Sequence, residues 1–263
     1  SFPYTSLSGF VAEFCAIGGK VTKRVWAPLG EEDYSSYISQ IPDDVDGIYV
    51  GIGGSGLISF IKQYEEQKGR VDTERMLGNV FWDDPLVLKE VGASLVGGAT
   101  AAMTAADSNE PAVAKYMEDL EAAYGAEIAG LGPSVFTYGY YTGMTALIKG
   151  LEAVDGDVSD QAALQEALAG LSLSGDEAPW GDVTLDDNRQ AISDVYVKKI
   201  VKDANGDGTP DVQTFRKIPQ VDQTFNGVFS ADTPPPDRTN PKCVAGEAPP
   251  WVGNAEEVDF SSE

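Results

Sequence analysis

Residues 46–66 constrain the fold more than any other stretch of the chain. Asp46-Gly-Ile-Tyr-Val50 is a short run that is almost wholly apolar after its Asp. It feeds into Gly51-Ile-Gly53-Gly54-Ser-Gly56, and Leu57–Glu66 follows as a helix. An apolar strand of this kind is buried on both faces, as in a parallel sheet. A strand that turns through small residues into a helix is half of a βαβ unit. The same order recurs on both sides. Phe10, Val11 and Phe14 space a helix that stops at Gly18-Gly19, and Lys20–Trp26 reads as a strand. Asp33 or Ser35 caps a helix carrying Tyr37, Ile38 and Ile41, and Glu74–Val80 leads into another strand. A strand around Ala93–Val96 and a helix from Pro111 to Tyr124 complete the series. The expected fold class is α/β, a parallel sheet flanked by helices and wound through right-handed crossovers.

Beyond Gly132 the character changes. Val135–Val154 reads as a long helix with aromatics at its start, and Ser159 or Asp160 caps another that ends near Gly170. Strands are expected at 182–185, Ala191–Val201 and Val212–Ile218, the last two joined by a ten-residue loop. Six of the 15 prolines fall in the final stretch, which reads as an irregular Pro-rich strap.

Composition removes whole classes of chemistry. The chain has no histidine, so Ser-His-Asp and Cys-His catalysis and every His-containing metal site are excluded. No apolar run approaches the roughly 20 residues of a spanning helix. Asp and Glu number 42 against 18 Lys and Arg, a net charge of −24 that repels phosphate, so nucleic acid and anionic lipid are poor candidate partners. Cys15 and Cys243 either bridge each other across the fold or stand separately.

Three motifs bear on function. Gly51–Gly56 has the spacing of a dinucleotide fingerprint, with Asp72 and Glu74 downstream, but any parallel sheet needs small residues at such a turn. Ligands of open parallel sheets bind at the carboxyl ends of strands whatever their chemistry. Phe81-Trp82-Asp83-Asp84-Pro85 follows the next strand and should edge the same crevice, Trp82 offering a flat wall and Asp83 a charge, unless Asp83 or Asp84 caps the following helix. Asp203, Asn205, Asp207, Thr209 and Asp211 place oxygens at alternate positions around Gly208, as in the first nine places of a calcium loop; the bidentate Glu is replaced by Thr214. Asn, Asp and Gly also suit a plain hairpin loop. No cofactor is required, and calcium is the structural ion such a loop would take.

The order of pieces resembles the second lobe of type I periplasmic binding proteins, in the leucine/isoleucine/valine-binding branch of ABC importers. The resemblance is carried by 9–14, 18–21, Pro28–Ile38, Asp46–Val50 and 60–64, then by Pro133–Tyr141, Trp180–Ile192 and 195–197. It covers about residues 1–230 and implies two α/β lobes closing on a small solute, which passes to a membrane permease. The chain then begins inside the second lobe, without the N-terminal lobe. Residues 1–132 would form the second lobe, 133–180 crossover helices, 181–230 closing strands and 231–263 the tail. The apolar faces of 133–180 (Val135, Phe136, Met144, Leu147) would await a partner. The resemblance implies Phe2, Gly53, Gly54, Ser55, Trp82, Asp83 and Tyr138 as ligand-binding residues, no enzymatic activity, and an extracytoplasmic location. Gly53 and Gly54 stand where amino-acid binders carry bulkier residues, so branched-chain amino acids, amides or urea-like solutes, and aromatic acids all stay open. A receptor domain of the same fold and a nucleotide-dependent enzyme using Gly51–Gly56 are the alternatives.

Overall fold

A computed structural model describes residues 2–104, 111–126, 134–204, 206–222 and 235–258, with the side chains of residues 2, 3, 111 and 112 outside the description. The chain forms two compact units. One comprises Ser1–Ala101, Lys199–Val212 and Thr233–Val252; the other comprises Ala102–Lys198, Gln213–Asp232 and Gly253–Glu263.

The first unit is built on three parallel strands, β1 (Ile48–Val50), β2 (Met76–Gly78) and β3 (Ala99–Ala102), with Ile48 opposite Met76 and Leu77 opposite Ala99. Around them lie α1 (Phe2–Ala16), α2 (Ser35–Ile38), α3 (Ser55–Lys68) and α4 (Pro85–Leu95). Helix α3 buries Leu57, Phe60, Ile61 and Tyr64, the i, i+3, i+4, i+7 spacing of one helix face. It ends at Gly69, whose φ of 84° is the left-handed cap that glycine adopts without strain. Helix α4 starts where the Asp84 carboxylate accepts the Leu86 N–H at 3.0 Å, with Pro85 in the first turn. The core gathers Tyr34, Ile38, Val50, Trp82, Val87, Val91, Leu95 and Ile200 with the buried face of α3.

Two features differ from the sequence-based reading, and a third settles an alternative that it left open. Residues 20–28 form no strand; they run beside the C-terminal segment, where the Arg24 guanidinium donates to the Pro241 carbonyl at 2.6 Å and the Trp26 indole to that of Arg238 at 3.2 Å. A strand needs a ladder partner, and this one meets side-chain bonds and a Pro-containing segment instead. Residues 93–95 are the end of α4, because Leu95 continues the buried register of Val87, Leu88 and Val91; the strand begins only after Gly97-Gly98. Cys15 and Cys243 form a disulfide, and the Gly246 N–H donates to the Ala16 carbonyl, so the Pro-rich tail is pinned to the end of α1. The Glu13 carboxyl lies under this tail. Burial raises its pKa, partly offset by its hydrogen bond with Trp251.

The second unit holds α5 (Pro111–Tyr124), α6 (Val135–Ala153), α7 (Gln161–Ala169), the short strands β4 (Ser172–Leu173), β5 (Val183–Leu185) and β8 (Glu256–Glu257), and most of β6 (Ala191–Val201) and β7 (Asp211–Asp222). Here pairing is antiparallel: β4 on β5, β5 on β6 and β7 on β8. With the parallel β1–β3 this gives a mixed α/β fold. Asp160 caps α7 as expected, accepting from the Ala162 and Ala163 amides. Lys217 pairs with Asp194 at 2.6 Å. Burial would raise the pKa of that carboxyl, but the ammonium and the Gln220 donors outweigh it and hold it below the usual range.

Candidate functional site

The carboxyl ends of β1 and β2 carry the loops in which a ligand of an open parallel sheet is held. One buried side chain ties them together. Asn79, directly after β2, donates its amide N–H to the Ile52 carbonyl at 3.0 Å and accepts the Phe81 N–H on its side-chain oxygen at 3.1 Å. Its own backbone N–H reaches the Val50 carbonyl, and its carbonyl accepts from the buried Thr100 hydroxyl. Asn79 thus joins the carboxyl ends of β1 and β2 and the start of β3. Its only signal in the sequence is an Asn in the middle of a Leu-Gly-Asn-Val-Phe run, which sequence reasoning misses.

The glycine loop is shaped by its neighbours. A Cβ on Gly53 would lie 2.6 Å from two ring carbons of Phe81, so the absent side chain is what lets that ring cover the loop. Gly54 has φ 60° and is exposed with open space beside it, and Ser55 is exposed as the first residue of α3. A Cβ on Gly56 would lie 2.6 Å from the Tyr34 hydroxyl oxygen. The glycines are therefore accounted for by an aromatic ring, a left-handed turn and a tyrosine hydroxyl, without a pyrophosphate.

The residues singled out from the sequence fall out as follows. Trp82 does not edge a crevice: it is fully buried, clamped between Gly78 and Gly98, and its indole N–H has no partner among the described residues. The aromatic at the strand end is its neighbour Phe81, half-buried over Gly53. Asp83 is half-buried in the turn before α4, and the cap belongs to Asp84. The side chain of Phe2 lies outside the described residues. Tyr138 belongs to the second unit, where it is buried on α6 with its ring 5.0 Å from that of Tyr116.

Around Tyr138 the second unit has a polar aromatic cluster. Tyr116 also packs edge-on against Tyr141 at 5.1 Å, and the Tyr141 hydroxyl donates to Asp119, which also pairs with Lys115 at 3.0 Å. Burial and then the Asp119 carboxylate push the Tyr141 pKa up to about 12. The hydroxyls of Tyr116 and of Thr142, one turn beyond Tyr138, are buried with no partner among the described residues. A buried hydroxyl without a partner costs about 1–3 kcal/mol, so both are ready to bond. The opposite face of α6 is apolar and exposed: Phe136, Tyr140, Met144, Leu147 and Ile148 recur at helical spacing in contact with solvent.

The 203–211 loop uses its carboxylates on itself. Asp203 accepts the Gly206 and Gly208 amides at 2.6 and 2.9 Å, Asp207 accepts Thr209 at 2.8 Å and Asp211 accepts Ala204 at 2.6 Å. Asn205 lies outside the described residues. No group of three or more His, Cys, Asp or Glu side chains arranged to hold a metal occurs among the described residues, and no helix among them is long and apolar enough to cross a membrane.

Comparison with known proteins places this geometry in a family. A family model described as periplasmic binding protein matches residues 1–207. A Leu/Ile/Val-binding protein homolog from Brucella melitensis is 26% identical over 216 residues, covering 80% of this chain and 53% of that protein. Among solved structures, an ABC transporter substrate-binding protein from Sphaerobacter thermophilus superposes with a TM-score of 0.67 at 22% identity, covering 78% of this chain and 54% of that one. A solute-binding protein of an ABC transporter from R. palustris, in complex with 4-hydroxybenzoate, gives 0.67 at 20% identity over the same shares. The chain spans about half the length of the relatives it matches.

Proposed function

This chain belongs to the periplasmic binding protein family, and on that premise we propose that it is part of the extracytoplasmic solute-binding component of an ABC importer. One observation carries the reading: Asn79 joins the carboxyl ends of β1 and β2 and, through Thr100, the start of β3 into a strand-end floor, beside which Gly54 and Ser55 are exposed. Such a floor suits a small polar solute held by strand-end loops. Gly53, Gly54, Ser55 and Asp83 are the contacts we assign to the first unit, with Phe2 retained from the family resemblance. The solute class is a branched-chain amino acid, an amide or an aromatic acid. Gly54 has open space beside it, and the relative with bound 4-hydroxybenzoate favours the aromatic acids among these. The exposed stripe of α6 is the surface on which the remaining half of such a fold would pack, and the permease is the membrane partner.

The test is a thermal-shift panel of leucine, an aliphatic amide, benzoate and 4-hydroxybenzoate, with ATP and NAD as comparators. A ligand at about a hundred times its Kd adds about 2.7 kcal/mol to stability, a rise of several degrees. One solute class is expected to give that rise, and Ser55→Trp, at an exposed position, is expected to abolish it while leaving the unliganded melting temperature in place. A shift with the nucleotides alone would transfer the chain to the enzyme reading, and no shift with any solute would discard solute capture by this chain.

No ion is required in this reading. The 203–211 loop is held by its own Asx-type hydrogen bonds, so the melting temperature is expected to be equal in calcium and in chelator. A rise of several degrees on adding calcium alone would restore the ion as a structural part of the loop.

A further inference from the structure

Five of the chain's 18 basic residues are gathered in one place. Residues 19–26 and 238–243 run alongside each other in opposite directions: the Val21 N–H points at Cys243 Sγ, Arg24 bonds the Pro241 carbonyl, and Trp26 bonds that of Arg238. The two segments carry Lys20, Lys23, Arg24, Arg238 and Lys242 and not one Asp or Glu, while the other 13 basic residues share the chain with all 42 acidic ones. Four of the five side chains are exposed, Arg24 being half-buried. None of the five makes an ion pair among the described residues, whereas Lys62, Lys68, Arg75, Lys115, Lys149 and Lys217 all do. Two carboxylates border the ribbon and keep their charge: Asp237, which accepts the Thr239 and Asn240 amides, and Glu31, which accepts the Tyr37 hydroxyl. Beside the ribbon the disulfide holds two exposed apolar residues, Ile17 at the end of α1 and Val244 after Cys243, 54% and 66% exposed.

From this we infer that the ribbon is a docking surface for an anionic membrane. The net charge of −24 argues against such a partner only as an average. At about 0.1 M salt a charge is felt over about 10 Å, so an approaching bilayer senses the ribbon and not the far side of the molecule. The acidic remainder favours an approach with the ribbon toward the bilayer. The pairing of cations with exposed Ile17 and Val244 selects a bilayer over an acidic protein surface: apolar side chains enter the headgroup boundary while Lys and Arg meet the anionic headgroups. Half of the ribbon lies beyond residues 1–207 that match the family model, so the surface is a feature of this chain. The inference is independent of which solute is bound.

Cosedimentation with phosphatidylglycerol–phosphatidylcholine vesicles, against phosphatidylcholine vesicles alone, tests it. The intact protein is expected to sediment with the anionic vesicles only, and to be released by added salt. Each Lys near an anionic surface contributes about a five-fold gain in affinity, so Lys20→Gln/Lys23→Gln/Lys242→Gln is expected to bind about a hundred-fold more weakly at an unchanged melting temperature. The matched triple Lys62→Gln/Lys89→Gln/Lys115→Gln, with the same net charge, is expected to bind as the intact protein does. Absence of sedimentation, or equal losses in the two triples, overturns the proposal. Salt-sensitive self-association without lipid, lost in the first triple, also overturns it, by assigning the ribbon to the acidic surface of a second copy.

Discussion

Gly78→Ala is expected to cost about 3 kcal/mol or more, lowering the melting temperature by about 10 °C. A Cβ at this position would lie 2.0 Å from Cγ of Trp82 and 2.1 Å from its Cδ2, well inside van der Waals contact. The ring has nowhere to go, because its far edge is pressed on Gly98, where a Cβ would come within 2.6 Å of Cζ3. Trp82 is completely buried, so a shift of the indole must be taken up by β2, α4 and the turn between them. The check is a double-mutant cycle with Trp82→Leu. That change is itself destabilising by a few kcal/mol, since it empties core volume, but it removes the atoms that the new methyl meets. Adding Gly78→Ala to the Trp82→Leu variant should then cost little, about 1 kcal/mol at most. Equal costs in the two backgrounds would show that the close approach of ring and strand is not what Gly78 provides.

Loss of the Cys15–Cys243 bridge is the second large effect. The two residues are 228 positions apart, so the cross-link restricts nearly the whole unfolded chain, and the chain-entropy expression gives about 5 kcal/mol for a loop of this size. Cys15→Ser/Cys243→Ser is expected to lower the melting temperature by about 10 °C, and to make residues 235–252 cleavable by a protease that spares the rest. Treating the intact protein with a reductant should reproduce both results. If the tail becomes cleavable while the melting temperature stays in place, the bridge only fastens the strap, and the entropic account fails.

What is legible in the sequence is what neighbours along the chain decide. The turn from β1 through glycines into α3, the Asp84 and Asp160 caps, Pro85 in a first turn and the glycine after α1 all depend on residues a few positions apart. The misreadings share a different cause. Residues 20–26 have the composition of a strand, but what lies beside them comes from more than 200 positions away and supplies no ladder. Ala93–Val96 has strand-like residues, overridden because Leu95 completes a buried helix face. Trp82 reads as a wall of the site because an aromatic after a strand often is one. Its burial follows from Gly78 and Gly98, whose missing side chains form the slot, and that cannot be seen without the pairing of β2 and β3. Asn79 escapes for the same reason: Ile52 and Thr100, which it bonds, lie 27 and 21 positions away on either side. The glycines of 51–56 have the spacing of a phosphate-binding loop and are explained by Phe81 and Tyr34.

The span of the disulfide also has a meaning in time. A ribosome adds about 5–20 residues per second, so roughly 10–45 seconds separate the appearance of Cys15 from that of Cys243. During that interval the first thiol lacks the mate it has in the folded chain, and any partner it takes then must be exchanged before the native bridge can close. Covalent closure of this molecule is therefore a report that synthesis has passed residue 243. A product interrupted earlier carries a free thiol at the end of its first helix, a chemical mark by which unfinished copies differ from finished ones.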